Sequence, residues 1–179
     1  RLPPLLENTT NPAGISIASL VVDGSITDPD GTVEAIAVTG LNTSLGAWQY
    51  SIDGGSSWLT IRADLINGST DELALLLGPT AKIRLLPFGE LHGSLTDAIT
   101  FRAWDQSTGS QGDYVAITAT GGGTAFSSAS DTASIRVTAV NDAPSFATGN
   151  GTGKLIVPVG SSNDHAYSVA VQPDGKILL

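Results

Sequence analysis

Along this chain, polar and apolar positions alternate with a period of two in short runs, the pattern of strands that bury one face. Trp48, Tyr50 and Ile52 fall on one side of such a run, with Gln49 and Ser51 on the other. Ile99, Phe101 and Ala103 oppose Thr100, Arg102 and Trp104, and Ile135, Val137 and Ala139 oppose Ser134, Arg136 and Thr138. Further strands are predicted over 16–22, 33–39, 58–62, 73–77, 81–86 and 114–120. Turn formers stand between them: Asp28-Pro29-Asp30-Gly31, Asp53-Gly54-Gly55, Asn67-Gly68-Ser69 and Gly121-Gly122-Gly123. About seven to nine short strands with this punctuation predict two antiparallel sheets packed face to face, an all-β sandwich.

The pattern changes after Val140. Asn141-Asp142-Ala143-Pro144 cannot continue a central strand, because Pro144 has no amide donor for the ladder and biases Ala143 toward extended backbone. A sandwich domain is therefore expected over 1–144 and a separate segment over 145–179. That segment holds two and a half strands joined by turns, too little for a core of its own. The chain opens on Arg1 and closes inside the apolar run Ile177-Leu178-Leu179, which reads as a piece of something longer.

Composition narrows the function. The 179 residues carry eight Lys and Arg against seventeen Asp and Glu, a net charge of −9, so the basic surface that phosphate binding needs is missing and no nucleic-acid partner is expected. Zero Cys removes disulfides, thiolate metal sites and cysteine nucleophiles together. No apolar run approaches the ~20 residues of a bilayer-spanning helix, so no membrane insertion of this segment is expected. Thirteen of the acids are Asp, and several sit at loops and strand ends: Asp28, Asp30, Asp105 and Asp142, with Glu7 beside them. Loops of a sandwich gather at its two ends, where acids distant in sequence can meet. Ca²⁺ takes six to eight oxygen ligands in flexible geometry, and short Asp side chains with loop carbonyls supply them. The competing reading is plain solubility.

Glu7-Asn8-Thr9, Asp28-Pro29-Asp30-Gly31, Phe101-Arg102-Ala103-Trp104-Asp105 and Val140-Asn141-Asp142-Ala143-Pro144 follow one another in an order that resembles the landmarks of cadherin-like repeats, over roughly 2–144. The resemblance implies an immunoglobulin-type Greek-key sandwich with calcium half-sites at opposite ends. Asp28, Asp30 and Asp105 would belong to one end; Glu7, Asn141 and Asp142 to the other, Asn141 through its backbone carbonyl. In two places the chain departs from that pattern. Ala139 stands where the family has an Asp two residues before the linker Asn, and the acidic triplet of the second end has only Asp97, Asp71 and Glu72 as substitutes. With no Cys and a body rich in Gly and Thr, the match is similar to tandem repeats of long bacterial surface proteins and RTX-type adhesins. This implies a secreted or cell-surface spacer whose partners are neighbouring repeats of the same chain, with host or cell-surface ligands bound through other domains. Residues 146–179, with Asn163-Asp164-His165-Ala166-Tyr167 and Gln172-Pro173-Asp174-Gly175-Lys176, resemble one truncated blade of a delta-sixty type β-propeller repeat.

Other motifs point to structure. Ser51-Ile52-Asp53-Gly54-Gly55-Ser56-Ser57-Trp58 fits the Asp-box pattern, a hairpin whose Asp accepts from the turn's own amides while the Trp packs beneath. Gly149-Asn150-Gly151-Thr152-Gly153-Lys154 fails the spacing of a phosphate loop. His92 and His165 read as surface histidines, and no catalytic triad follows from their spacing. Trp48, Trp58, Trp104 and Tyr50 could instead form an exposed platform for sugar stacking, the alternative of a carbohydrate-binding module. No enzymatic activity is expected.

Overall fold

A computed structural model describes residues 1–21, 25–27, 35–67 and 73–143, together with two short strands further on. The chain divides into two compact units, Arg1–Asn141 and Asp142–Leu179. In the second unit, β11 (Ala170–Val171) and β12 (Ile177–Leu178) pair antiparallel, Ala170 opposite Leu178.

The first unit is a sandwich of two open sheets. Its strands are β1 (Leu5–Leu6), β2 (Ile15–Ser16), β3 (Ala35–Leu41), β4 (Gly46–Ser51), β5 (Leu59–Thr60), β6 (Leu73–Leu77), β7 (Lys82–Pro87), β8 (Gly93–Trp104), β9 (Tyr114–Ala116) and β10 (Phe126–Thr138). The larger sheet runs β1-β10-β8-β3-β6-β9 and the smaller β2-β7-β4-β5. Ile36, Val38, Leu75, Leu77 and Ile99 from one sheet meet Trp48, Tyr50, Ile83 and Leu85 from the other in the main core. All pairings are antiparallel among the described residues except β1 with β10, which is parallel, Leu5 opposite Val137.

Several expected strands come out shorter or as helix. The run over 16–22 keeps only Ser16 in a strand and then turns into α1 (Ile17–Leu20). Ser16 caps that turn, its Oγ accepting the Ser19 amide at 3.2 Å, while the Ile17 and Ala18 amides donate to the carbonyls of Ala81 and Pro79. With its first amides satisfied, one helical turn buries Ile17 and Leu20 on the same side, which an extended segment could not do. A second helical turn, α2 (Ala63–Asn67), follows β5. The Asn67 side chain accepts from the Leu41 amide at 3.0 Å and donates to the Leu41 carbonyl at 2.6 Å, standing in for a strand neighbour at the end of β3. Ile52, expected inside with Trp48 and Tyr50, is exposed because β4 ends at Ser51 and the chain turns. Ala139 is exposed for the same reason, one residue past the end of β10.

The larger sheet is covered on both faces near its middle. Ala35, Ala37, Ala74 and Leu76 point away from the main core and form a second cluster with Trp104 and Phe126. The Trp104 indole N–H donates to the Thr108 carbonyl at 2.9 Å, holding the segment after β8 against that outer face. This accounts for β3 and β6 being apolar at consecutive positions instead of alternating.

Candidate metal centre

β1 places Glu7. Pairing of Leu6 with Thr138 continues into a bond from the Glu7 amide to the Thr138 carbonyl at 3.1 Å, so the residue after β1 lies beside the end of β10. Its side chain is buried. A buried carboxylate needs strong partners, and Glu7 has two: Oε1 accepts from the Val140 amide at 2.7 Å, and Oε2 lies 2.7 Å from His92 Nδ1. His92 ends the turn between β7 and β8, which closes with a bond from the Leu91 amide to the Phe88 carbonyl. One carboxylate thus ties together the end of β1, the β7–β8 turn and the exit of β10.

The electrostatics follow from these contacts. The Val140 amide, then His92, hold the Glu7 carboxyl below its ordinary value against the opposing effect of burial. The bond to Glu7, with the Glu90 carbonyl 3.2 Å away, pushes the His92 imidazole up. Both acceptors face Nδ1, so that nitrogen carries the proton.

Carboxylate oxygens of Glu7, Glu90 and Asp142 lie within 4.8 Å of one another. Asp142 directly follows Asn141, the last residue of the sandwich unit. Two oxygens on opposite sides of a calcium ion stand ~4.6–5.2 Å apart, twice the Ca–O distance, so this spread suits one hard cation. The donors are all oxygens, and the nearby imidazole nitrogen is occupied by Glu7, which suits Ca²⁺ better than zinc. Backbone carbonyls and water would have to complete the coordination.

Of the acids singled out from the sequence, Glu7 and Asp142 come together here, and Asn141 stands exposed between Val140 and Asp142. Asp105 follows β8, whereas His92 precedes it; twelve strand residues at ~3.3 Å each separate the two ends, so Asp105 lies far from Glu7. Its Oδ1 accepts the Ser107 amide at 2.7 Å. Asp28 and Asp30 lie outside the described residues, as do Asp71, Glu72, His165 and the segment 146–169. Asp97 is exposed within β8 and does not join the group. Glu90 was missed: it occupies the β7–β8 turn, and only the pairing of β1 with β10 and of β10 with β8 brings that turn to Glu7. The signal available in sequence was an acid two residues before a histidine between two predicted strands. His92 is exposed as expected, yet its Nδ1 bonds the buried Glu7 carboxylate.

The remaining motifs have structural roles. Asp53 accepts from Ser57 Oγ at 2.5 Å, the Ser57 amide at 2.9 Å and Ser51 Oγ at 2.7 Å, and these bonds hold its carboxyl far below the ordinary Asp range. The sugar-stacking platform is not formed by the residues expected for it: Trp48, Tyr50 and Trp104 are buried, and Trp58 is faced by the Arg84 guanidinium 3.9 Å from its ring centre. No family model, no curated protein and no solved structure matches the chain.

Proposed function

We propose that the sandwich is a calcium-binding structural repeat, a non-enzymatic spacer of a secreted or cell-surface bacterial protein, with neighbouring repeats of its own chain as partners. One observation carries this: a buried Glu7 at the point where the chain leaves the sandwich, with the Glu90 and Asp142 carboxylates within 4.8 Å. Three acids so close repel one another, and a divalent ion would turn that repulsion into a clamp on the exit segment. The order of the motifs, the lack of Cys and the net charge of −9 agree with such a module. Among the described residues no helix is long and apolar enough to cross a membrane.

Thermal unfolding in EDTA and in rising Ca²⁺ tests the reading. Calcium at ten times its dissociation constant should add ~1.4 kcal/mol of stability, and affinity in the range of extracellular modules puts that effect at millimolar concentrations. Glu90→Gln and Asp142→Asn should each abolish most of the gain, measured between EDTA and saturating Ca²⁺ within the same variant. A melting point that does not move up to about 10 mM Ca²⁺, a concentration well above the dissociation constants of such modules, would overturn the assignment.

A further inference from the structure

Asn-x-Ser/Thr triplets, the pattern at which N-linked sugars are attached, begin at Asn8, Asn42, Asn67 and Asn150. An acceptor needs an exposed carboxamide with a free nitrogen and, two residues on, a hydroxyl that the transferase can read. Asn150 lies outside the described residues, as do Gly68 and Ser69 of the third triplet. Asn67 is unfit while the chain is folded, because its Nδ2 donates to the Leu41 carbonyl at 2.6 Å and its Oδ1 accepts the Leu41 amide at 3.0 Å. Breaking both bonds would unpin the end of β3.

Asn42 differs. It opens the turn between β3 and β4, and Asn42, Thr43 and Ser44 are all exposed. Its backbone is anchored: the amide donates to the Ala98 carbonyl at 3.0 Å, and the carbonyl accepts the Trp48 indole N–H at 2.8 Å. Its Oδ1 accepts from the Ser44 amide at 3.1 Å and from the Ser44 hydroxyl at 2.8 Å. The two ends of a planar carboxamide diverge, so fixing the oxygen on the turn directs the nitrogen away from it, and Nδ2 makes no hydrogen bond among the described residues. Asn8 is exposed too, but no bond joins its side chain to Thr10 among the described residues, so that triplet is not held ready.

We propose that Asn42 is a modification site that accepts an N-linked glycan from a sugar activated as its diphosphate. Nδ2 attacks the anomeric carbon; the new C–N bond forms as the C–O bond to the diphosphate breaks, the diphosphate leaves with that electron pair, and Nδ2 passes one proton to a base of the transferase. No group is oxidised or reduced. Attachment costs no core contact, since the anchoring bonds of Asn42 are made by its backbone. The site is separate from the acidic group at Glu7 and does not depend on calcium.

The test uses the folded full chain, made in cells without N-glycosylation, in two arms that distinguish the donor. One arm supplies a soluble N-glycosyltransferase with a nucleotide-activated hexose, the other a membrane oligosaccharyltransferase with a polyprenyl-diphosphate glycan, and mass spectrometry of the peptides reads each site. Asn42 should be modified in at least one arm and Asn67 in neither. Occupancy of Asn42 should exceed that of Asn8 roughly threefold or more at equal times, the factor that one side chain ordered in advance supplies. Ser44→Ala should abolish the reaction at Asn42 and Ser44→Thr preserve it; should either variant not fold, the site map of the original chain still decides. Recovered from the cells that make it, the protein should carry a sugar on Asn42. A bare Asn42 in both arms or in that material, equal or higher occupancy at Asn8, or modification that survives Ser44→Ala would each overturn the proposal.

Discussion

Gly14 and Gly54 make a matched pair that separates backbone strain from packing. Both adopt left-handed backbone, with φ of 70° and 75°. An alanine in that region costs about 1–2 kcal/mol, offset by about 0.4–1 kcal/mol from the loss of freedom in the unfolded chain. At Gly54, in the turn after β4, an added Cβ meets nothing within 4 Å, so Gly54→Ala should cost about 1 kcal/mol or less. At Gly14 the same atom would lie 2.6 Å from Trp58 Cη2, 2.9 Å from the Ile83 carbonyl oxygen and 3.3 Å from Arg84 Cβ. Trp58 can swing away, but only by leaving the Arg84 guanidinium; the Ile83 carbonyl belongs to a strand paired on both sides and cannot yield. Overpacking of this kind adds about 1–3 kcal/mol. Gly14→Ala should therefore be destabilised by about 2–4 kcal/mol, clearly more than Gly54→Ala. Urea unfolding of both variants, followed by tryptophan emission, measures the difference, provided the dependence on denaturant is unchanged. Two variants within about 0.5 kcal/mol of each other would refute the reasoning, because the packing of Trp58 and Gly14 against β7 would then carry no weight.

Three further outcomes follow from the same structure. Leu76 is fully buried on the outer face of the larger sheet, so Leu76→Ala should cost about 2–5 kcal/mol in chemical unfolding, as a core deletion does; under about 1 kcal/mol would mean that face is not covered. Asp53 has its folded pKa depressed by its serine partners, so its contribution is present above the unfolded value of about 3.9 and is lost as pH falls through the lower folded value. Asp53→Asn should accordingly lower the melting point near neutral pH and flatten its fall below about pH 4, and an unchanged acid limb would contradict the bonding described. Asn67→Ala removes both bonds to Leu41 from an exposed position and should cost about 1 kcal/mol, measured by urea unfolding, with faster hydrogen exchange of the Leu41 amide as the local readout.

Much of the architecture was legible because strands announce themselves locally. Period-two alternation located β4, β8 and β10, since each buries one face over most of its alternating run, and the Asp-Gly-Gly turn after β4 was set by side-chain chemistry within five residues. Short apolar runs were less informative. The stretch beginning at Ser16 has the composition of a strand, and it turns helical because the carbonyls of Pro79 and Ala81 lie where its first amides need partners. The two-sided burial of β3 and β6 likewise depends on the segment after Trp104 folding over the sheet.

The sequence by itself determined the fold class, since the spacing of apolar residues and turn formers is a local property, and it also determined that Glu7 and Asp142 are acids near the two ends of the sandwich segment. Tertiary structure alone decided that they meet. A parallel pairing of β1 with β10 sets Glu7 beside the exit of the chain, and the antiparallel pairing of β10 with β8 carries Glu90 and His92 to the same place. It likewise buried Arg84, because its partners come from residues 11, 12, 49 and 58, which only the packing of β2, β7 and β4 assembles. Contacts between residues distant along the chain depend on strand order and register, which no short window of sequence contains.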